Sequence, residues 1–533
     1  MQLFLHICCT ALISGLTPGF AQDVTQAEAA PAVEASAPLP SQWVPQTRVG
    51  RLSYVSGNVE LRSSGAAAWA DAELNRPVFA GEELRTDPHA RSEIRIGANT
   101  IDLSNDARIE IAGLRDGTTQ IVLWRGRIEF RLRGSAKDQG QNAAVEVDVP
   151  QGGVWLLMPG RYDIEVGSAG EAIRVAAFEG TAHFAGSDRD ERIEAGQLAV
   201  FSESESANTS LKEPAVEDEF AAWCQNRLYD ETRLAAPYFI SDSMTGYEEL
   251  DSAGVWKIDP QYGPAWFPTE SADWAPYRFG HWSWIRPWGW TWVDDHPWGF
   301  APSHYGRWAL IHEHWAWVPG GSAKRPVYAP AVVAFLGTPG VGLSSEEGPT
   351  VAWFPLAPGE VYRPNYARDL DYVRALNIGT VPDASSIGAR ADEAPSLEMF
   401  NEDFANRKFA TAVLRPVFTK GRPVASARVI LPEKRLQDAP VLMASPQIAP
   451  ASNERVAGAA PASPPSTRVV VRLSRKASSK AVQPASMTSR GRAPTVILLG
   501  AHLRAPPYAG QPRGRQTVVL RIAHSRSVSG KRG

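Results

Sequence analysis

Tryptophan is concentrated in one part of this chain, and that concentration constrains the fold more than any other feature. Thirteen of the eighteen tryptophans in the 533 residues lie between Trp256 and Trp353. A buried indole removes about 150–250 Å² of surface from water, so these rings can build an interior without long aliphatic runs. Exposed rings would instead offer a platform for a sugar or an apolar partner, because binding sites are enriched in aromatic residues. Both interpretations stay open from the sequence.

The tryptophan segment contains an internal repeat. APYRFGHWSWI starts at Ala275, APSHYGRWALI starts at Ala301, and each is followed by W-x-W-V, at 290–293 and 315–318. YGPAWFP, from Tyr262, resembles a degenerate copy. Alternate residues of a strand face opposite sides of a sheet, so the W-x-W stretches place their indoles on one face. The repeat therefore predicts β-hairpins of about 25 residues each.

The turns of these hairpins supply the candidate ligand-binding residues. Pro287–Gly289 and Pro297–Gly299 fit type I turns, with proline at i+1 and glycine at i+3. Packing constrains turn residues least, so we look first for exposed rings there. An arginine between such rings can stack on them by cation–π contacts. The predicted aromatic platform consists of Trp288, Trp298, Trp284 and Arg286.

The region 47–205 is predicted to be β throughout. Short alternating segments are separated by Gly, Asn, Asp or Pro at intervals of about 8–15 residues, which is typical of a sandwich, a barrel or a β-solenoid. In SEIRIG, Ile94 and Ile96 share one face and Glu93 and Arg95 the other. In GRIEFRL the apolar residues define a single buried face, and we place the intervening charged residues in solvent: Arg127, Glu129 and Arg131.

A helix is predicted to link this β region to the tryptophan segment, over 212–235. Phe220, Trp223, Cys224 and Leu228 approximate one apolar stripe, and acidic residues occupy the first turn. We expect the helix to dock on an adjacent domain and Cys224 to be buried and inert. With a signal removed, Cys224 is the only cysteine, so it forms no internal disulfide.

Two stretches resemble known bacterial families. FAGEELRTDPHARSEIRIGANTIDLSNDARIEI, LWRGRIEF, VPQGGVWLLMPGRYDIEV and IEAGQLAVF resemble the FecR-type periplasmic domain over 48–203. That resemblance implies an all-β, non-enzymatic signalling or scaffold module. WAPYRFGHWSWIRPWGWTWVDDHPWGFAPSHYGRWALI and VAWFPLAPGEVYRPNY resemble the Trp-rich DUF6600 family over about 236–377, and FANRKFATAVLRPVFTKGRPV also fits these proteins. The second resemblance implies an architecture but no chemistry.

The two ends of the chain predict export and a charged tail. Leu3–Leu16 is apolar but too short to span a bilayer, and Gly19 and Ala21 suit cleavage after Ala21, so 1–21 is predicted to be a signal peptide. Its n-region is atypical, with only His6 and no Lys or Arg, and a buried apolar segment is the alternative. Residues 22–46 are predicted to be a disordered spacer, 400–439 a short extension and 440–533 a disordered tail. The tail carries +14 against −18 for the rest of the chain, a charge that favours contact with anionic polymers.

No motif in the sequence specifies catalysis. His312 and His314 would place two imidazoles on one strand face, but no zinc-binding spacing accompanies them. Asp294 and Asp295 precede a Pro-Trp-Gly turn, where aspartate is favoured for turn chemistry alone. We therefore predict no enzyme activity, no metal site and no cofactor.

Together these patterns predict a mainly β protein in three parts. They are a FecR-like domain (47–205, sandwich or β-solenoid) with its linking helix, a Trp-rich β-hairpin repeat domain (236–380) and the basic tail. We predict a periplasmic or secreted, non-catalytic binding or scaffold protein without a transmembrane segment. Its expected partner is an envelope glycan or an envelope protein, and we expect no specific nucleic acid. The alternatives are an envelope signalling protein that senses a partner through its FecR-like domain, and a hydrolase whose site is unrecognised.

Overall fold

A computed structural model describes most of the chain between residues 45 and 457. Within that span it omits 116, 134–143, 168–171, 187–188, 202–210, 228–233, 272, 322–324, 368, 383–386, 388–398, 401–402, 444 and 452–455. The predicted signal peptide, all but the last two residues of the spacer, and residues 458–533 of the predicted tail lie outside the described residues.

The first domain, called the β domain below, is built from strands and one helix. Its helix, α1, spans Glu219–Asn226. Its strands are β1 Gly50–Ser56, β2 Val59–Arg62, β3 Ala70–Asp71, β4 Pro77–Val78, β5 Glu83–Thr86, β6 Arg91–Ile96, β7 Asn99–Leu103, β8 Arg108–Arg115, β9 Thr118–Leu132, β10 Ala144–Val149, β11 Gly152–Leu156, β12 Gly160–Val166, β13 Ile173–Ala177, β14 Thr181–Gly186, β15 Asp190–Glu194, β16 Gln197–Phe201 and β17 Leu211–Pro214.

These strands form two sheets that share the long strand β9. The first sheet runs β4-β1-β6-β7-β9-β12-β13-β16-β17. The second runs β3-β2-β5-β8-β9-β10-β11-β14-β15, and only its β9–β10 pair is parallel among the described strands. Alternate residues of both sheets meet in one aliphatic core, which includes Ile94, Ile128 and Val154. The predicted mainly β fold is therefore confirmed, and two sheets that enclose one core correspond to the predicted sandwich.

The outer face of the first sheet is not exposed to solvent as predicted. Glu129 is 2% exposed, so its assignment to solvent is wrong, and Glu93 and Arg95 on the same face are each at most 3% exposed. The physical reason is that α1 covers this face, and arginines of β12 and of the end of α1 pair with its carboxylates. Arg161 lies 3.1 Å from Glu129, and Arg227, at the end of α1, lies 2.6 Å from Glu93.

The helix α1 is shorter than the predicted 212–235. Its N-terminus is set by Asp218, whose side chain accepts a hydrogen bond from the backbone N of Ala221, and β17 occupies the residues before it. Phe220 and Cys224 are buried, as the apolar stripe predicts. Burial raises the pKa of the Cys224 thiol, so the thiol stays protonated. Leu228 lies outside the described residues.

The second domain, called the Trp-rich domain below, consists of hairpins, short helices and a mixed outer sheet. Its helices are α2 Ala236–Phe239, α3 Leu250–Ala253, α4 Phe300–His304, α5 Leu370–Asn377, α6 Arg415–Thr419 and α7 Glu433–Asp438, with 3₁₀ turns at Arg407–Phe409 and Ala425–Ala427. Its strands are β18 Gly254–Asp259, β19 Gly263–Pro268, β20 Gly280–Ile285, β21 Gly289–Asp294, β22 Arg307–Ile311, β23 His314–Val318, β24 Val333–Leu336, β25 Leu343–Ser345, β26 Gly348–Pro355, β27 Met399–Phe400, β28 Thr411–Leu414, β29 Val441–Leu442 and β30 Val456–Ala457.

The predicted hairpin repeat is confirmed, and it has a third copy. The pairs β18–β19, β20–β21 and β22–β23 are all antiparallel hairpins, so YGPAWFP belongs to the repeat. In each hairpin two tryptophans face each other across the strands: Trp256 and Trp266, Trp282 and Trp292, and Trp308 and Trp317. The hairpins pack their indoles into one aromatic core with later strands of the domain.

The segment after residue 400 completes this domain instead of leaving it. Strand β28 pairs with β26, and β29 pairs with β24. Phe418 of α6 is 1% exposed and packs against Trp290 at a centroid distance of 4.3 Å. Met443 and Ile448 are also buried, so the prediction of a disordered tail from residue 440 is wrong for 440–443 and 445–451. The apolar segments of this region are too short to show a periodic pattern in the sequence. They take a defined structure because β28 and β29 pair with strands of the sheet.

The two domains share a polar interface centred on Arg51. Its fully buried guanidinium lies 2.6 Å from the Glu249 carboxylate and donates to Asn75 Oδ1 at 2.8 Å and to the carbonyl of Pro297. Asn75 in turn donates to the carbonyl of Asp294 at 2.8 Å. A β-domain loop and a hairpin of the Trp-rich domain are thereby held together by charge-assisted hydrogen bonds.

Candidate binding surfaces

The tryptophans of the hairpin repeat form the core of their domain. Of the thirteen between Trp256 and Trp353, only Trp284 exceeds 9% exposure. Trp282 illustrates the packing, with ring centroids 5.5 Å from Trp292 and 5.4 Å from Trp353, both edge-on. Of the two interpretations left open by the sequence, the structure supports the tryptophan core.

Trp288 is buried where the two domains meet, so its predicted exposure in a turn is wrong. The indole is 3% exposed and stacks on Phe79 of the β domain at 5.5 Å. Tyr328 and Tyr366 enclose its edges at 5.4 and 5.1 Å. The Arg286–Pro287 peptide in this turn is cis. In an isolated hairpin this turn would be exposed, but in the folded protein the β domain covers its tryptophan.

Trp298 is also buried, at 6% exposure, although the predicted turn around it does form. The backbone N of Gly299 donates to the carbonyl of His296 at 2.9 Å, with Pro297 at i+1. The ring packs against Trp266 at 5.0 Å and stacks on His296 at 4.8 Å. The predicted exposure of this ring is therefore wrong, because the turn folds back onto the neighbouring hairpin.

Trp284 and Arg286 are the predicted platform residues that remain accessible. The Trp284 ring is half-buried, edge-on to Trp290 at 5.3 Å, and Arg286 is exposed. The backbone of Trp284 pairs with Val456 of β30, so the β20 edge is occupied at this point.

The histidines and aspartates singled out in the sequence lie in separate environments. Asp294 accepts hydrogen bonds from Trp292 Nε1 at 2.9 Å and from the backbone N of His296 at 3.0 Å, which is the predicted turn chemistry. His304 is fully buried against the carbonyl of Ala329, and burial lowers its pKa to about 3. No group of three His, Cys, Asp or Glu side chains that could hold a metal occurs among the described residues.

His312 and His314 do not share a strand face as predicted. Ile311 pairs with His314 to close the hairpin, so His312 and Glu313 are its two turn residues. Both turn residues have positive φ, 49° and 66°, as a type I′ turn requires. One imidazole is therefore at the tip of the hairpin and the other in the strand.

A second group of tryptophans, which the sequence reasoning did not consider, lies on the outer face of the second β-domain sheet. We call this surface the tryptophan face, defined by Trp69, Trp124 and Trp155. Trp124 is 46% exposed and the other two are partly exposed. Trp69 is surrounded by guanidinium groups, with Arg62, Arg85 and Arg108 at 4.9, 4.4 and 5.8 Å from its centroid. These stacks hold the ring at one edge of the sheet.

Trp155 lies flat on the middle of the tryptophan face. A Cβ atom at Gly153 would come within 2.7 Å of the Trp155 ring, so the indole covers the glycine two residues before it. Glu146 and His183 are its direct neighbours on the adjoining strands, and Gln120 continues the same row. An aromatic plane is thus flanked by donors and acceptors for hydrogen bonds.

The polar side chains beside Trp155 are held in place by one another. Gln120 donates to Asp148 at 2.9 Å, and His183 Nε2 lies 2.8 Å from Asp190. Burial raises the pKa of Glu146, and the neighbouring Asp148 raises it further. The signal for this surface was present in GGVWLL, where Val154 and Leu156 point inward and glycine and tryptophan point outward.

Comparison with known proteins gives one family model, which matches part of the Trp-rich domain. A family model described as a family of unknown function (DUF6600) matches residues 247–360, within the range of the sequence resemblance. Two crystal structures of a candidate anti-sigma factor from Parabacteroides distasonis ATCC 8503, at 2.50 and 1.65 Å, are 13% identical to this chain with a TM-score of 0.23. The match covers 28% of this chain and 66% of that one. No curated protein matches. Within the described residues, no helix is long and apolar enough to cross a membrane.

Proposed function

We propose that this protein is an exported, non-catalytic binding protein that retains a neutral envelope glycan on its tryptophan face. Export rests on the apolar run Leu3–Leu16 and the small residues before position 22. Binding rests on Trp155, whose flat ring offers an apolar plane to the C–H face of a sugar. Gln120, Glu146, Asp148 and His183 then supply partners for the sugar hydroxyls. The observation that carries the proposal is this flat indole in a row of polar side chains.

The two sheets of the sandwich support this choice of surface. The outer face of the first sheet is covered by α1 and holds paired charges. On the tryptophan face, in contrast, the side chain of Trp124 is 46% exposed. Leu157, two residues after Trp155 along the chain, is 42% exposed. Contiguous exposed apolar surface is typical of interaction sites, and we assign the partner to this face for that reason. In the Trp-rich domain, Trp284 and Arg286 are a second candidate platform, retained from the sequence.

The first test measures retention of the purified chain on insoluble glycans. We expect binding to chitin, cellulose or peptidoglycan, and about tenfold weaker binding for Trp155→Ala, because the variant loses the apolar plane. The matched control is Trp284→Ala, another half-buried indole, which should bind like the parent. Circular dichroism checks that both variants fold. Loss of binding in Trp284→Ala alone would transfer the site to the Trp284 and Arg286 platform, and no retention by the parent would refute glycan binding.

A further variant separates a glycan from a protein or lipid partner. Leu157 and Met158 are 42% and 51% exposed beside Trp155 and offer no hydrogen bond from their side chains. A Leu157→Ser, Met158→Ser double variant should leave glycan retention unchanged. If it abolishes retention as strongly as Trp155→Ala does, the surface binds its partner by apolar contact and the glycan assignment is wrong.

A further inference from the structure

A cleft lies where the β domain meets the Trp-rich domain, and none of Trp69, Trp124 and Trp155 lines it. We call it the interface cleft, and its volume of about 720 Å³ lies within the usual range for small-molecule sites. One wall comes from a β-domain loop, a second from the β20–β21 hairpin and a third from the loop after α6. Its lining residues are Glu73, Leu74, His281, Val293, Asp294, Asp295, Lys420, Gly421, Arg422 and Pro423.

The hairpin wall of the cleft carries two neighbouring carboxylates, and they differ in their contacts within the protein. Asp294 is used by Trp292 and His296, as described above. Asp295 is fixed at its backbone, whose N donates to the carbonyl of Phe279 at 3.1 Å, while its side chain is exposed. Nearby, Glu73 Oε2 lies 2.9 Å from His281 Nε2 and joins the two domains at the base of the cleft. Asp295 can therefore accept from a ligand without breaking a contact of the fold.

The basic wall is a rigid turn that presents two cations. The backbone N of Gly421 donates to the carbonyl of Phe418, and that of Arg422 donates to the carbonyl of Val417, so both end α6. Gly421 has a φ of +60°, and a Cβ there would lie 3.1 Å from the carbonyl of Trp282, so the loop lies directly on β20. Lys420 and Arg422 are both exposed on either side of this glycine.

We propose that the interface cleft binds a small zwitterion, an amino acid or short peptide with a free ammonium and a free carboxylate. Lys420 and Arg422 pair with the carboxylate, and Asp295 pairs with the ammonium. Leu74 and Val293 provide apolar surface for the part between the two charges. A ligand with only a negative charge would be repelled by Asp295, and one with only a positive charge by Lys420 and Arg422. The cleft therefore selects against simple anions and simple cations.

Calorimetric titration of the full chain with alanyl-alanine tests the proposal, with two blocked analogues as comparisons. We expect the dipeptide to bind about tenfold more tightly than N-acetyl-alanyl-alanine, which lacks the ammonium, and than alanyl-alanine amide, which lacks the carboxylate. Asp295→Asn should remove the preference over the acetylated analogue alone. Lys420→Gln with Arg422→Gln should remove the preference over the amide alone. These side chains are exposed, so the variants should fold.

Three outcomes would overturn the proposal: no heat with the dipeptide at millimolar concentration, equal binding of all three compounds to the parent, or loss of both preferences in both variants. Trp155→Ala is the control that separates this site from the tryptophan face. It should bind the dipeptide like the parent, so a failure of glycan binding and a failure of the cleft are distinguishable.

Discussion

At the scale of single residues, the least expected feature is a row of buried carboxylates. Glu93, Asp102, Glu129 and Asp163 are direct neighbours on β6, β7, β9 and β12, and each is at most 5% exposed. Burial raises the pKa of Asp102 well above its ordinary value, and Glu93 and Glu129 raise it further. Burial also raises the pKa of Asp163, to about 7, although Arg127 opposes it. A charged row under a helix is stable only when arginines pair with it.

Burial raises the pKa values of Asp102, Glu129 and Asp163, and these three carboxyls predict a stability that falls as pH rises. A carboxyl whose pKa is higher in the folded than in the unfolded chain binds its proton more tightly when folded, so its contribution to stability is lost above the ordinary value of about 4. For Asp163 the loss extends to about pH 7. We expect the free energy of unfolding in urea to fall between pH 5 and pH 8. For Asp102→Asn, whose side chain cannot ionise, the free energy of unfolding should fall less over this range. At pH 8 the variant should be more stable than the parent.

The control for this pH experiment is Asp438→Asn, at an exposed position. It should follow the parent at every pH. An Asp102→Asn curve parallel to that of the parent would mean that Asp102 is ionised in the folded chain as it is in the unfolded chain, and that its pKa is not raised.

At the scale of elements, the hairpin repeat depends on a glycine two residues before its first tryptophan. In G-x-W, the glycines are Gly254, Gly280 and Gly306, and a Cβ on each would come within 2.7 Å of the indole on the returning strand. The returning indole therefore lies over the glycine, and that contact brings the facing tryptophans into register. The tryptophan pattern is visible in the sequence, but the reason for the glycine appears only when both strands are in place.

Gly280→Ala should therefore destabilise the fold. Its Cβ would lie 2.3 Å from the carbonyl of Val293, and its φ of +153° is strained for any other residue. We expect the free energy of unfolding to fall by about 2–4 kcal/mol. Gly321→Ala, which has no atom within 4 Å of its Cβ, is the matched control and should change stability by less than about 0.5 kcal/mol. If both variants change the free energy of unfolding equally, the glycine of G-x-W is not specifically required for the packing of the hairpin.

At the scale of the whole molecule, Arg51 of the β domain makes polar contacts with the Trp-rich domain. Its guanidinium is fully buried and contacts Glu249, Asn75 and the carbonyl of Pro297. Removal of one partner from such a site leaves a buried carboxylate without its cation, which costs about 3–5 kcal/mol.

Calorimetry of Arg51→Ala tests whether these contacts couple the unfolding of the two domains. We expect one transition for the parent, and for the variant a lower Tm or two separated transitions, because the interface weakens before either core. Arg192→Ala, whose ion pair with Glu194 is more than half exposed, should leave the transition in place. An Arg51→Ala profile that coincides with that of Arg192→Ala would show that Arg51 does not couple the unfolding of the two domains.

Much of the architecture could be predicted because it follows from local pattern. Period-two alternation identified the β domain, and a repeat of about 25 residues identified the hairpins. The candidate site was predicted less well. Exposure was assigned to Trp288 and Trp298 because turns of isolated hairpins are open to water. Their rings are buried by partners distant in sequence, such as Phe79 and Trp266.

The sequence by itself determined the fold class, the hairpin repeat and the inward positions of most β-domain residues, since each depends on neighbours a few positions apart. Only the tertiary structure decided which tryptophans remain exposed, because exposure depends on what a distant segment covers. Helix α1 covers Glu93 and Glu129, whereas no described element covers Trp155 to the same extent. The interface cleft was decided in the same way, because its acidic and basic walls, at Asp295 and Arg422, are brought together only by the folded chain.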